Sequence, residues 1–148
     1  MAAITTAGTK LYASAALPAT YDQTGYEALT YTEVGEITDV GEYGKEYNLV
    51  THIPLATRRT QKLKGSYNQG SLSLQMAYDP ADSGQAILVT ALDSDDSISY
   101  KVVDQDGTAD YFTGQVMSYR KNIGAIDTIR SASTTIEIDS DVTTVEPA

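Results

Sequence analysis

The fold of this chain is decided by residues 63–92, LKGSYNQGSLSLQMAYDPADSGQAILVTAL, in which one hydrophobic period gives way to another. From Leu72 to Tyr78 every second residue is apolar, and the residues between them are small or polar. Because successive side chains of a β-strand point to opposite faces, this alternation is typical of a strand with one apolar and one polar face. The polar face of the predicted strand carries Ser71, Ser73 and Gln75.

The same stretch predicts a helix directly after the strand. Asp79 can cap a helix, and Pro80 fits the first helical turn. Gln85, Leu88 and Leu92 then recur at a spacing that brings them to one side of a helix. We therefore predict a helix from about Pro80 to Leu92 that buries this side.

The remaining alternating segments predict further strands. Residues 98–102 alternate into the turn DQDG at residues 104–107, and residues 112–116 alternate out of it, which favours a hairpin. The last alternating run is STTIEID, residues 133–139. Only the segment after residue 79 has a convincing helical period, so the sequence predicts a mainly β domain with one helix.

Composition limits what this domain can be. A chain of 148 residues fits a single domain. It contains no cysteine, which excludes disulfides, thiolate metal sites and cysteine nucleophiles. The formal net charge is −10 at pH 7, which disfavours sequence-specific DNA binding because DNA is itself strongly negative. We expect no membrane span, since about 20 apolar residues would be needed.

Catalytic and metal-binding motifs are incomplete in this sequence. SYRK at residues 118–121 matches S-x-x-K without the partner motifs of that enzyme class. His52 is the only histidine, and the DQDG turn lacks the downstream glutamate of a calcium loop. Asp93, Asp95 and Asp96 follow the predicted helix and are more typical of a solvated connection. We therefore expect no enzymatic activity, no cofactor and no metal.

Three features within residues 64–88 together resemble the tail tube proteins of long-tailed bacteriophages. They are the Lys-Gly turn, the strand with a small polar face, and a helix start with the pattern D-x-x-D-x-G-Q-x-x-L. TYTEVGEITD, residues 30–39, resembles the first long strand of that family, and STTIEID, residues 133–139, resembles its closing strand. The resemblance covers roughly residues 10–142.

The resemblance implies a β-sandwich or half-barrel with one flanking α-helix and a long inter-strand loop. Residues 1–148 would form one tail tube domain, with an N-terminal arm and first strand region at residues 1–29. Residues 41–65 show neither period cleanly and would be the long stacking loop of the family. Residues 143–148 would be a short acidic tail.

Charge is uneven along the chain, and the predicted loop contains its basic part. Residues 51–78 carry four basic side chains and no acidic one, whereas the flanking segments are both net acidic. Such a block is either a solvated loop face or a contact for an acidic copy of the same protein. Since the family uses its long loop to contact the neighbouring ring, the resemblance implies inter-ring contacts by Tyr43, Lys45, Tyr47, Arg58, Arg59, Lys62 and Lys64.

The resemblance also implies hexameric rings stacked head to tail around a β-lined channel. A strand face of small polar side chains contributes little to a closed sandwich, but it suits the wall of a channel. Duplex DNA would pass such a channel without tight binding if the wall is acidic or neutral. We expect the lumen-facing residues to include Ser71, Ser73, Gln75, Thr113 and Gln115, with Glu33 and Glu36 setting the sign of the charge.

The expected function is therefore that of a structural virion protein that self-assembles into the phage tail tube and delivers genomic DNA. Its partners would be copies of itself, tail terminator proteins and tail tip proteins. It would reside in the virion tail after synthesis in the bacterial host cytoplasm. The alternatives are a tube protein of a contractile tail or of a type VI secretion system, or a small carbohydrate-binding β-sandwich, which the absence of tryptophan weakens.

Overall fold

The computed structural model describes residues 3–147 of the chain, and the fold is mainly β, as predicted. A short first helix, α1, was not predicted from the sequence. The elements in chain order are β1 (Lys10–Ser14), α1 (Gln23–Glu27), β2 (Thr32–Val34), β3 (Ile37–Asp39), β4 (Glu46–His52), β5 (Gln61–Asn68), β6 (Ser71–Ala77), α2 (Ser83–Leu92), β7 (Ile98–Val103), β8 (Ala109–Asn122), β9 (Ser131–Ile138) and β10 (Thr143–Val145).

Most of the strands belong to one antiparallel sheet. Its order is β2-β1-β7-β8-β9-β6-β3, and β10 joins it by pairing with β8. The long strand β8 pairs along one edge with β7, and along the other edge first with β10 and then with β9. Strands β4 and β5 form a separate two-stranded hairpin. The predicted hairpin around the DQDG turn is confirmed as β7 and β8.

The two outermost strands of the sheet, β2 and β3, are consecutive in the sequence. Only Gly35 and Glu36 separate them, and three Cα–Cα steps span at most about 11 Å. The two edges therefore lie next to each other, and the sheet curls back on itself as a half-barrel does. The prediction of one continuous strand over residues 30–39 is wrong, because the chain bends at Glu36, whose φ is 61°, from one sheet edge to the other.

The hydrophobic core lies between the inner face of the sheet and α2. In β6, Leu72, Leu74 and Met76 are buried and the residues between them are exposed, which confirms the predicted alternation. A second, smaller cluster forms where β10, α1 and the start of β8 come together. The main core also contains Leu11, Val34, Leu88, Tyr100, Phe112 and Ile136.

Helix α2 begins three residues later than predicted. Asp79 uses its carboxylate locally, accepting from the backbone N–H of Ala81 at 3.0 Å. Asp82 is the actual N-cap, and its Oδ2 accepts from the backbone N–H of Gln85 at 2.9 Å. The chain offers two aspartates that could cap, and the second one is used because the first closes a turn between β6 and α2.

The buried side chain of Gln85 connects α2 to three other segments. Its Nε2 donates to the backbone carbonyls of Ala77, at 2.9 Å, and of Gly35, at 3.2 Å. Its Oε1 accepts from the backbone N–H of Asp79 at 3.1 Å and from the hydroxyl of Tyr119 at 3.2 Å. Because both donors and the acceptor are satisfied, this amide is buried without an uncompensated desolvation cost.

Two further parts of the predicted domain layout are corrected. Residues 41–65 are not an irregular loop, because they contain β4 and the first five residues of β5. Both faces of this hairpin are exposed, so its residues show no alternation of apolar and polar side chains. Residues 143–148 are not simply an acidic tail, because Thr143–Val145 pair with Tyr111, Asp110 and Ala109 of β8. Residues 1, 2 and 148 lie outside the described residues.

We predict that Gln85→Met destabilises the subunit by about 3 kcal/mol, because half-buried backbone groups at Gly35, Ala77 and Asp79 would lose their partner. Gln23→Met is a matched control, since Gln23 is exposed and only bonds Glu27 on the same helix. The control should cost less than about 0.5 kcal/mol. Urea unfolding followed by circular dichroism measures both, and equal midpoints for the two variants would contradict the role of Gln85.

Candidate assembly surfaces

Strands β4 and β5 with their connecting loop form an arm, residues 46–68, that stands apart from the core. Every residue of the two strands is exposed except Gly65, which is half-buried. A two-stranded hairpin without a hydrophobic face covered by other elements is marginally stable in water. The arm therefore needs a further surface against which to pack. Its exposed large apolar side chains are Tyr47, Leu49, Val50, Ile53, Leu55, Leu63 and Tyr67.

The base of the arm is held by aromatic and cationic side chains. Tyr47 and Tyr67 are paired across the two strands, with ring centroids 5.3 Å apart. The Nζ of Lys45 lies 4.4 Å from the centroid of Tyr67, and that of Lys64 lies 4.8 Å from the centroid of Tyr47. These cation–π contacts are available within the subunit and give the arm base its own local stability.

The Lys-Gly pair of the sequence motif lies in this arm, at a bulge. The register of β4 and β5 shifts between Tyr47 and Leu49. A Cβ atom on Gly65 would lie 2.9 Å from Cγ2 of Val50 and 3.3 Å from the carbonyl oxygen of Asn48. Glycine is therefore favoured here, because a side chain on the bulged strand would crowd Val50 and the backbone of Asn48.

The two faces of the arm differ in chemistry. Val50 is paired with Leu63, so both side chains point to one face and form an apolar strip. Leu49 is paired with Lys64, so these side chains point to the opposite face, where Lys62 also lies because it is two residues from Lys64. The arm thus carries an apolar strip on one face and two lysines beside Leu49 on the other.

The tip of the arm is both apolar and cationic. The backbone N–H of Arg58 donates to the carbonyl of Pro54 at 2.9 Å, which closes a turn that leaves Leu55 96% exposed. Arg58 and Arg59 are also exposed. Within residues 3–147 the ion pair between Lys10 and Glu33 is the only one, so both arginines reach solvent without a carboxylate partner.

A polar sheet face forms the second candidate surface. Ser71, Ser73 and Gln75 of β6 lie opposite Glu137, Thr135 and Ser133 of β9. Next along the sheet, β8 places Gln115 opposite Glu137 and Arg120 opposite Ser133. On the other side, Asp39 of β3 lies opposite Gln75. The face therefore extends over β3, β6, β9 and β8, and its side chains are exposed or half-buried.

Comparison with known protein families is consistent with this architecture. The family model described as "Lambda phage tail tube protein, TTP" matches residues 12–143. The chain belongs to this family. The tail tube resemblance seen in the sequence is thereby confirmed, and the protein is a structural component of a phage tail. No curated protein sequence matches the chain significantly.

Solved structures of tail proteins share the fold of this tail tube subunit. The SPP1 tail tube is 14% identical with a TM-score of 0.65, covering 94% of this chain and 77% of its own. A chain of the anti-feeding prophage baseplate is 9% identical with a TM-score of 0.70, covering 99% and 97%. The tail of an empty GTA particle is 11% identical with a TM-score of 0.62, covering 80% and 87%. At these identities the likeness concerns the fold.

Six of the seven residues expected at the inter-ring contact lie on the arm or at its base. Tyr43 is the exception, because it lies before the arm and packs its ring 5.5 Å from that of Phe112. Its hydroxyl is hydrogen-bonded to Asp110, and burial raises its pKa. Tyr43 is therefore half-buried against the main core and does not belong to the arm. Lys45, Tyr47, Arg58, Arg59, Lys62 and Lys64 are exposed on the arm or at its base.

The expected lumen residues are only partly brought together. Thr113 is wrong, because it is 1% exposed and its hydroxyl donates to Asp139 at 2.6 Å. Glu33 lies on β2, 3.8 Å from Lys10, and Glu36 lies at the bend after β2, so neither belongs to the four strands of the polar face. The sequence analysis missed Ser133, Thr135 and Glu137, although their alternation with Ile136 predicted β9 correctly.

The remaining candidate groups lie apart from one another. Ser118 and Lys121 belong to β8, and His52 ends β4. Within residues 3–147 no three histidine, aspartate or glutamate side chains are grouped so that they could hold a metal ion. In the same part of the chain, no helix is long and apolar enough to cross a membrane.

We predict that the amide hydrogens of β4 and β5 exchange rapidly in the free tail tube subunit and slowly after assembly. The arm lacks a core of its own, so its order must come from contacts with another copy. Hydrogen exchange on the monomer and on the assembled protein measures this, with β6 as the internal reference that is protected in both. Equal protection of the arm in both states would remove it from the assembly interface.

Proposed function

We propose that this protein forms hexameric rings that stack head to tail into the tube of a non-contractile phage tail, and that the tube delivers genomic DNA. The observation that carries the proposal is the exposed arm. It displays exposed apolar side chains, together with Arg58 and Arg59, which form no ion pair in the described part of the subunit. A family member whose role is structural has an obvious source of such partners in further copies of itself.

Six-fold arrangement is supported by the assemblies in which the fold occurs. The GTA tail was refined with helical and C6 symmetry, and the anti-feeding prophage baseplate was treated as six-fold symmetric. The SPP1 protein is itself a tail tube. This chain shares their fold over most of its length, so a ring of the same symmetry requires no change of architecture.

The polar sheet face is the surface that suits the channel wall. Small hydroxyl and amide side chains dominate it, and its charged groups are Asp39, Glu137 and Arg120. A wall of this composition offers phosphates few cations, so DNA would slide past without being retained. Placing a polar face against a wet channel also explains why this side of the sheet has no apolar cover.

The role of a tail tube protein also implies its partners and its site of synthesis. The tube would contact terminator proteins at one end and tail tip proteins at the other, and the subunit would be made in the bacterial host cytoplasm. Its function would need no catalysis, no cofactor and no metal. Family membership favours this role over a carbohydrate-binding β-sandwich. The alternatives are a tube protein of a contractile tail or of a type VI secretion system.

Negative-stain microscopy of the purified protein tests the proposal directly. We expect tubes with a regular axial repeat and end views with six-fold symmetry around a stain-filled channel. A protein that remains monomeric over the whole accessible range of concentration would contradict the proposed assembly. Rings of another order would contradict the hexamer alone.

We further predict that wild-type tubes retain no duplex DNA at physiological salt, whereas Ser73→Lys combined with Thr135→Lys makes them do so. These residues face each other across β6 and β9, so the two lysines would add cations to the polar face. The retention should fall with salt, with a logarithmic slope of about 0.9 for each phosphate contacted. Ala81→Lys with Val89→Lys adds the same charge near α2, on exposed positions.

Gel-filtration of tubes with labelled duplex measures this retention. The control variant should behave as the wild type. If the control retains DNA as strongly as the paired variant, the polar face does not line the channel. Strong retention by the wild type would contradict passage without tight binding.

A further inference from the structure

An apolar groove runs beside the second half of α2. It is a cavity of about 280 Å³ that opens to solvent. An engineered cavity of roughly 150 Å³ already admits benzene, so the groove has room for a large aliphatic side chain. We call it the α2 groove. It is lined by Ala15, Ala86, Ile87, Thr90, Ala91, Ser94, Asp96 and Ile98.

The α2 groove continues at one end into an acidic basin. Asp96 lines both the groove and the neighbouring cavity. That cavity is also lined by Asp95, Asp139 and Asp141, and no lysine or arginine lines it. Within residues 3–147 none of these aspartates forms an ion pair. The surface therefore passes from apolar to strongly negative over a short distance.

We infer that the arm tip of one copy docks on this surface of a second copy, with Leu55 in the α2 groove and Arg58 and Arg59 in the acidic basin. The inference rests on the proposed function and names the receptor of the arm. The tip and the surface are complementary in both apolar character and charge. In the described part of a single subunit, Arg58 and Arg59 have no carboxylate partner and the basin aspartates have no cationic partner.

The order of groups along the tip matches the order along the surface. Leu55 precedes Arg58 by three residues, a span of at most about 11 Å. The long arginine side chains add further reach beyond that span. The groove and the basin meet at Asp96, which lines both. A leucine seated in the groove therefore brings both guanidinium groups over the aspartates, where bidentate pairing is geometrically favourable.

The occupant is a second copy because the subunit does not fill its own groove. Leu55 is 96% exposed. The other prominent apolar tip, between β8 and β9, carries Ile126 and Ile129, which are 98% and 80% exposed. It also carries Asp127, which the basin would repel, and its one arginine, Arg130, lies 5.2 Å from the ring centroid of Tyr78. Charge therefore selects the arm tip over this alternative.

Cysteine cross-linking tests the contact, since the natural chain contains no cysteine. Leu55→Cys with Thr90→Cys places one thiol on the tip and one in the groove. Leu55→Cys with Val89→Cys is the matched control, because Val89 is exposed on the same helix but does not line the groove. Disulfides require Cα atoms within about 7 Å, so oxidised tubes should give about tenfold more cross-linked dimer with Thr90→Cys.

The possible results separate this contact from the proposed function. Wild-type tubes together with equal or absent cross-linking in the two cysteine pairs would overturn the contact and leave the tube intact. Wild-type protein that forms no tubes would overturn both. Preferential cross-linking of the Thr90→Cys pair supports both.

A charge exchange provides an independent test that does not depend on cysteine variants assembling. Arg58→Asp with Arg59→Asp should raise the concentration needed for polymerisation about tenfold, and so should Asp95→Arg with Asp96→Arg, because each set brings like charges together. All four changes combined should return that concentration to within about threefold of wild type. A combined variant that assembles no better than either pair alone would contradict the contact.

Discussion

Gln85 joins parts of the chain that are distant in sequence, and the curl of the sheet depends on it. The backbone of Gly35 is held on both sides, because its N–H donates to Asp82 and its carbonyl accepts from Gln85. Both side chains belong to the start of α2. A Cβ on Gly35 would lie 2.7 Å from Oδ1 of Asp82, and one on Gly84 would lie 2.3 Å from the carbonyl oxygen of Glu33. The helix and the bend are therefore so close that glycine is required at residues 35 and 84, and each supports the position of the other.

The position of the arm is set by this bend. Strand β3 follows the bend directly and pairs with β6, while β4 and β5 connect to the ends of these same strands. The base of this hairpin, β3 and β6, is part of the sheet. Its outer half, β4 and β5, is the arm and makes no part of the core. Tyr47 and Tyr67 stabilise only its base. The side chains beyond them contribute little to folding of the subunit, which leaves them free to serve assembly.

Sequence periodicity predicted the strands that have one buried face and failed where no face is buried. Leu72, Leu74 and Met76 alternate because the core accepts every second residue of β6. In the arm both faces are exposed and a bulge at Gly65 shifts the register, so no period of two survives. Thr113 illustrates the opposite error: a polar side chain at an alternating position was assigned to the wet face, but Asp139 covers and bonds it. Asp139 lies 26 residues from Thr113 in the sequence. The alternation of residues around Thr113 therefore cannot show that Asp139 covers it.

A contact between the arm tip and the α2 groove joins two different surfaces of the same chain. Each subunit that has docked its tip still offers a free groove, so association does not end at a pair as it would in an isologous dimer. The bodies of the subunits are acidic and repel one another at long range, with a net charge of −10 for the chain. The cations of the tip overcome this repulsion only when they approach the basin in one orientation, and salt screens both effects. Oriented attraction on a repulsive background therefore favours ordered growth over random aggregation.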